Sequence, residues 1–522
     1  MKKSRFLTLA LALALLMSVT TLPAAAEEPV TLTIGVQRSS VVENWDTNLQ
    51  TLKIEEICGV NLEFVEFPSS NNECMQKVDL MVVAGGDELP DVLMFNLPTS
   101  VIAKYGKAGI FVDLTDLYDG VHDKNFTEQS TKSALGKEGI LKYITSPDGR
   151  IYGMPYVVDA MDNEYANNRM LIYEPWLKAL DLEMPTTIDE LEQVLTAFKE
   201  QDANGNGDPN DEIPFTGIGL GMDFLTPFGM TDVYGIGYLV SEDGTVQYAY
   251  TSEAYKEGIK WAHKLYQAGL IDQETFTQDQ TVRDAKCDDP EISRVGFGYA
   301  WSYDAIFRRW MSEYAVIEPL AGPDGVKYQQ GDVNGLYSVK SNQLSITTAC
   351  QYPEVVLRWA DQFYTGEASI QNFWGGLGEV ITANADGTYT LNNPPEGISA
   401  DSWYWDRSLR DFGPKYSSLE FDTKIILDPT QGDGLKVAMD ENTAQYVGPC
   451  FPELKYTAEE YNEISFLQAD INSYVNTMRA KWVTEGGIDE EWDAYVAQLQ
   501  AMGLEDMNAI YFSAYARDRE AQ

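Results

Sequence analysis

Polar and apolar residues alternate through VTLTIGVQ, Val30 to Gln37, the period of a strand with one buried face. The loop RSSVVENWD leads into a helical stretch that ends at Cys58, with Gly59 as its stop. VNLEFVEF reads as a second strand, ECMQKVDLMVVAGG as a helix closed by Gly85 and Gly86, and DVLMF as a short buried strand. Strands alternating with helices predict an α/β sheet with parallel pairs. Ligands collect beyond the carboxyl ends of such strands, so the loop carrying Trp45 is a candidate cleft rim. SPDGRIYGMPYVVDA, Ser146 to Ala160, holds two turn signals and is read as the first crossing between two lobes. Helices follow at EPWLKALDL and TIDELEQVLTAFKEQD. In the latter, Ile188, Leu191, Val194, Leu195 and Phe198 make one apolar face. Thr187 is its predicted N-cap, with Glu190 completing a capping box.

The N-terminal residues change the picture. Lys2, Lys3 and Arg5 precede an apolar run from Phe6 to Val19, and Ala24 to Ala26 offer small residues for cleavage. This is the layout of a signal peptide over residues 1–26, with a mature chain from Glu27. The apolar run is shorter than the roughly 20 residues of a spanning helix. No cysteine precedes Cys58, so there is no lipobox and no lipid-modified N-terminus is expected. The expected product is exported and extracytoplasmic, either secreted or periplasmic.

A chain of 522 residues exceeds what one core organises, which predicts two domains. Lys and Arg total 37 against 81 Asp and Glu, a net charge of -44. Such a field repels nucleic acid and anionic membrane surfaces. Two histidines, His122 and His263, argue against His-based catalysis or zinc binding. Five cysteines at irregular spacing do not form a disulfide framework; an exported protein could hold one bridge, with Cys58 and Cys74 the nearest pair, and free, buried thiols are the plainer reading.

One loop carries candidate metal chemistry. In DANGNGDPNDEIP, Asp202, Asn204 and Asn206 stand at alternate positions with Gly205 and Gly207 between them. Oxygen-bearing side chains on a turn that glycine permits can converge on calcium, which takes six to eight oxygens at about 2.3–2.6 Å. Asp208 would add a backbone carbonyl, and Asp211 and Glu212 would close the shell. A solvated turn is the plainer alternative. The pattern is not an EF-hand, because Ile213 occupies the twelfth position, where that motif needs Glu. Calcium here would be structural, tying down a loop after an amphipathic helix.

Several segments, in order, resemble a known family. They are GDELPDVLMF, AGIFVDLTDL, DGRIYGMPY, PTTIDELEQVLTAFKEQDANGNG with DEIP, and YPEVVLRWADQFYTGEASIQNFWGGLGE. The chain resembles the extracellular solute-binding proteins of family 1, carbohydrate-binding subunits of ABC importers. It is most similar to the calcium-carrying branch of alginate-oligosaccharide-binding proteins. The acidic pair of the calcium loop falls one residue later than in that branch, because of Pro209 and Asn210. The resemblance implies a two-lobed, periplasmic-binding-protein-like (type II) α/β fold that closes on its ligand about a hinge. Expected limits are residues 27–152 plus 334–395 for the N-terminal lobe and 153–333 plus 396–522 for the C-terminal lobe. The implied function is capture of an oligosaccharide in the inter-lobe cleft and its delivery to an ABC permease, by a monomer that is not an enzyme.

A sugar site needs flat rings against C–H faces and polar groups for hydroxyls. GFGYAWSYD sets Tyr299, Trp301 and Tyr303 at alternate positions, and the resemblance puts this stretch at the cleft. Trp301 leads the candidates, followed by Trp45, Tyr156, Trp374 and Trp403 in loops. Asp159 and Glu379 are candidate hydroxyl partners, with Asp304 and Arg407 behind them. Core packing and ordinary ion pairs are the plainer readings of these residues. A secreted, calcium-dependent glycan-active enzyme shares many of these features, with two carboxylates flanking the scissile bond. A ligand-presenting partner of a membrane sensor shares them too.

Overall fold

The computed structural model describes residues 29–521, apart from 39–43, 87, 134, 160–167, 209, 332–336, 396–399, 410–411, 419–420, 422, 430–431 and 453. The segment read as a signal peptide lies outside the described residues.

Two sheets divide the chain. β1 (Val30–Gln37), β2 (Val60–Phe67), β3 (Val92–Leu93) and β4 (Met154–Asp159) belong to the first. β5 (Arg169–Tyr173), β6 (Ile213–Phe215), β7 (Val295–Ala300) and β8 (Tyr314–Val316) form the second. β9 (Tyr337–Ile346) and β10 (Lys415–Ser417) return to the first. The first sheet runs β10-β4-β9-β3-β1-β2 and the second β8-β5-β7-β6. β1 is parallel to β2 and β3, and β4 to β10, while β9 runs against its neighbours. The carboxyl ends of five strands therefore share one edge of the first sheet.

Local sequence explains the elements. Leu32, Ile34 and Val36 of β1 are fully buried, the apolar half of the alternation. Gly35 between them is needed for close approach: a Cβ there would lie 2.9 Å from the side chains of both Leu93 and Phe67. The helix Ile188–Glu200 buries the five apolar residues named above. Its Thr187 side chain accepts from the Glu190 N–H, but Glu190 turns back to the N–H and hydroxyl of Thr186. The cap is therefore one-sided. All five cysteines are free, and Cys74, Cys287 and Cys450 are buried.

The second sheet packs with the helices Ala458–Glu485, Ile488–Ala501 and Leu504–Ala521 into one apolar core, which includes Trp176, Phe297, Trp482 and Tyr511. The first sheet has its own core around Ile34, Phe126, Trp359 and Tyr364.

These pairings shift the expected lobe limits. β4, expected beyond the first crossing, pairs with β9 and β10 inside the first sheet, with Asp159 opposite Tyr337 and Tyr156 opposite Lys415. Residues after 396 also return to it, since Trp403, Phe421 and Ile425 pack with Tyr156 and Trp374. The chain passes between the sheets after Asp159, after Gly331 and between Leu427 and Gly432. The turn signals were real, but the strand partners of MPYVVD lie far downstream, where local pattern does not reach. Among the described residues no helix is long and apolar enough to cross a membrane.

Candidate ligand-binding site and cation loop

Trp301 follows β7 directly and is 50% exposed. Two devices fix it. The Lys436 ammonium sits 4.4 Å from the centroid of its ring, a cation–π contact that covers part of the indole. Its carbonyl accepts from Arg169 at 2.6 Å, and Arg169, itself buried, pairs with buried Asp440 at 2.5 Å. Lys436 and Asp440 both belong to the helix Gly432–Asp440. The indole is thus anchored through its backbone and braced by a cation, yet half open. Tyr299, two residues earlier, packs edge-on against Phe215 and Phe297 in the core.

In the first lobe the structure gathers five of the sequence candidates around one apolar cluster. The Arg407 guanidinium stacks 3.7 Å above the Trp403 ring, and its Nε donates to Glu379 at 2.8 Å. Tyr156 and Trp374 belong to the same cluster but are buried, with the ammonium groups of Lys340 and Lys415 over the Tyr156 ring. They form its wall. Trp45 requires correction: it is 3% exposed, wedged between Phe64 and Phe412, and is a core residue rather than a cleft rim. A short turn from Trp45 to Thr47, capped by Asn44, rolls the ring inward. The side chains of Asp159 and Asp304 lie outside what the structure describes.

The loop after the helix Ile188–Glu200 folds onto its own polar groups. Asp202 accepts from the Asn206 and Gly207 N–H groups at 3.0 and 2.8 Å. The amides of Asn204 and Asn206 donate to the two oxygens of Asp211 at 2.9 and 2.8 Å. Gly205 and Gly207 have φ of 71° and 91°, the left-handed region that glycine adopts without strain. Glu212 is 4% exposed; its Oε1 accepts from the Asn204 N–H, while Oε2 is enclosed with no partner. Burial pushes the Glu212 carboxyl above its ordinary value, and the nearby Asp211 and Asp202 charges add to the rise. An enclosed carboxylate oxygen beside other acids and two amides is a set that a hard cation would satisfy. The Asp208 carboxylate instead turns to Asn210, which leaves only its backbone carbonyl for such a role. Counting His, Cys, Asp and Glu alone, no three groups among the described residues are gathered as a metal site. The asparagines are therefore essential to the set.

Sequence reasoning missed a polar cavity of about 320 Å³ in the second lobe. Asn168, Asp223 and Asp232 line one side, and Asn472, Asn476 and Arg479 of the helix Ala458–Glu485 line the other. The three helix residues recur at four- and three-residue spacing, a polar stripe that the sequence does display. Asp223 accepts from the Phe224 N–H and from the Asn168 amide. Burial raises its carboxyl, against the pull of the backbone N–H groups and of Arg479.

Residues 53–387 match the family of bacterial extracellular solute-binding proteins. The chain belongs to this family. Over 489 residues it is 30% identical to the fructooligosaccharide ABC transporter substrate-binding protein FusA of Streptococcus pneumoniae, covering 90% of this chain and 87% of that one. The fold matches that of an S. pneumoniae FusA EF-hand mutant in complex with fructo-nystose, with a TM-score of 0.79, 26% identity, and coverage of 94% of this chain and 100% of that one. The alginate-binding protein AlgQ2, solved without calcium ion, shares the fold alone, with a TM-score of 0.69, 23% identity, and coverage of 94% and 98%. As a member of the family the protein is a two-lobed, exported solute-binding protein, as the ordered motifs implied.

Proposed function

We propose that this protein captures an oligosaccharide between its lobes and delivers it to an ABC import permease, without altering a covalent bond. The observation that carries the reading is Trp301, a half-exposed indole held from behind by Lys436 and through its carbonyl by Arg169. A solvent-facing ring fixed in this way gives the C–H face of a sugar an apolar surface at little conformational cost. The names of the relatives support the same ligand class and the same partner. Trp403, Glu379 and Arg407 are the first-lobe candidates, with Asp159 beside the first crossing. The lobes are residues 29–159 with 337–427, and 168–331 with 432–521.

Calcium is the proposed structural ion of the loop from Asp202 to Glu212. Asp202, Asn204, Asn206, Asp211 and Glu212 would hold it, with the carbonyl of Asp208. Bound there, it neutralises the clustered acids and adds its binding energy to folding. The EF-hand mutant of FusA, among the similar structures, supports the assignment. Export would use the leader over residues 1–26 without lipid attachment, and the working form would be a monomer.

A thermal-shift screen of neutral and acidic oligosaccharides, run with and without a chelator, tests the reading. A ligand class should raise the melting temperature and the chelator should lower it. Reducing-sugar release from the same mixtures should stay at background; turnover, or a flat response to every glycan, would end the proposal.

A further inference from the structure

We propose that the polar cavity of the second lobe takes the end of a neutral oligosaccharide and turns away uronic-acid chains. This rests on the carbohydrate reading and narrows it. The cavity lies beside two of the crossings, since Asn168 directly precedes β5 and Gln330 stands one residue before Gly331. At about 320 Å³ it is at the small end of the roughly 300–1,000 Å³ typical of ligand sites. That size suits the terminus of an oligosaccharide rather than its length.

Two enclosed polar atoms on its wall lack partners. Asp232 is 2% exposed; its Oδ2 accepts from the Gly237 N–H at 2.5 Å, but Oδ1 has no donor. Across the cavity the Arg479 Nε is enclosed with no acceptor, although its NH2 group reaches Asn476 at 2.7 Å. Buried polar groups are nearly always paired, so an orphan acceptor and an orphan donor on one cavity wall point to a partner that supplies both roles. Sugar hydroxyls donate and accept. The amides of Asn168, Asn472 and Asn476 have the same double character, and Met222 and Val475 offer apolar surface to C–H faces.

Charge selects within that class. Asp223 and Asp232 bring two carboxylates against one guanidinium, and Arg479 already faces Asp223. A uronate would add a third carboxylate to a partly desolvated site whose one lining guanidinium is already outnumbered by Asp223 and Asp232. A neutral ring meets no such repulsion.

Titration calorimetry on the full mature protein tests this with neutral trisaccharides (kestose, maltotriose, xylotriose) and uronic ones (trimannuronate, trigalacturonate). At least one neutral ligand should bind at least tenfold more tightly than any uronate. Asp232→Asn should narrow that preference, and Arg479→Gln should weaken the neutral ligand tenfold or more. Because Asp232 also holds the Gly237 N–H, Asn476→Ala on the exposed helix face serves as a second variant and should cost several-fold in affinity. Binding of neither class would overturn the carbohydrate reading itself. Uronates binding as tightly as neutral ligands, or neutral binding lost in Trp301→Ala but unchanged in both Arg479→Gln and Asn476→Ala, would leave that reading intact and overturn this one.

Discussion

Arg407 lies flat over Trp403, with its guanidinium carbon 3.7 Å from the ring centroid and its Nε bonded to Glu379. The arginine side chain is 20% exposed and the glutamate 46%, so the stack is better shielded than the ion pair. Cation–π contacts contribute about 0.5–2 kcal/mol, and exposed ion pairs about 0–1 kcal/mol. Arg407→Met should lower stability by about 1–2 kcal/mol in urea unfolding, and Glu379→Gln by less than about 1 kcal/mol. A larger effect from the glutamate would reverse that ranking.

Trp301 and Trp45 should respond in opposite ways to the same substitution. Trp301→Ala removes a half-exposed ring and should leave stability within about 0.5 kcal/mol while weakening oligosaccharide binding at least tenfold. Trp45→Ala opens a void beside Phe64 and Phe412 and should cost about 3–5 kcal/mol. Calorimetry and urea titration of both variants separate the two roles.

The Glu212 substitution should change sign with calcium. In chelator, the enclosed carboxylate stands among like charges with Oε2 unpaired, so Glu212→Gln should leave the melting temperature unchanged or raise it. In excess calcium the same variant loses a ligand and should melt several degrees below wild type. Scans of both proteins in both buffers check the crossing.

Lys455 ties the lobes together at a titrating contact. Its ammonium donates to the carbonyls of Lys142 and Thr145 at 3.4 and 3.2 Å and sits 5.0 Å from the Tyr143 ring. Burial pulls it down from 10.5 to about 8, with the Asp518 charge opposing. Below 8 the lysine is charged in both the folded and unfolded chains, and the folded state bears the full desolvation penalty. Between 8 and 10.5 the unfolded chain binds more protons, so stability should rise with pH, by on the order of 3 kcal/mol across the window. Lys455→Met should abolish this rise relative to wild type in urea midpoints measured across that range.

What the sequence disclosed was local. The apolar face from Ile188 to Phe198, the Thr187 cap and the glycine-punctuated loop at Asp202 all depend on residues within a turn or two of each other. Trp45 was not legible, because a ring in a loop folds inward or outward according to its partners, and Phe64 and Phe412 come from distant segments. The lobe limits failed for the same reason, at β4. The polar cavity was half visible: Asn472, Asn476 and Arg479 mark a stripe on their helix, but its opposite wall at Asp223 and Asp232 is joined to them only by tertiary packing.

The pairing of β4 also bears on synthesis. Both of its neighbours, β9 and β10, are made after the whole second sheet, so the ribosome releases Met154–Asp159 with neither edge covered. The sheet begun first is finished last. A fragment truncated at Gly331 would keep every strand of the second sheet, yet it would leave β4 stranded and β3 open on one side. Neither half can be excised as a contiguous, independently folding piece.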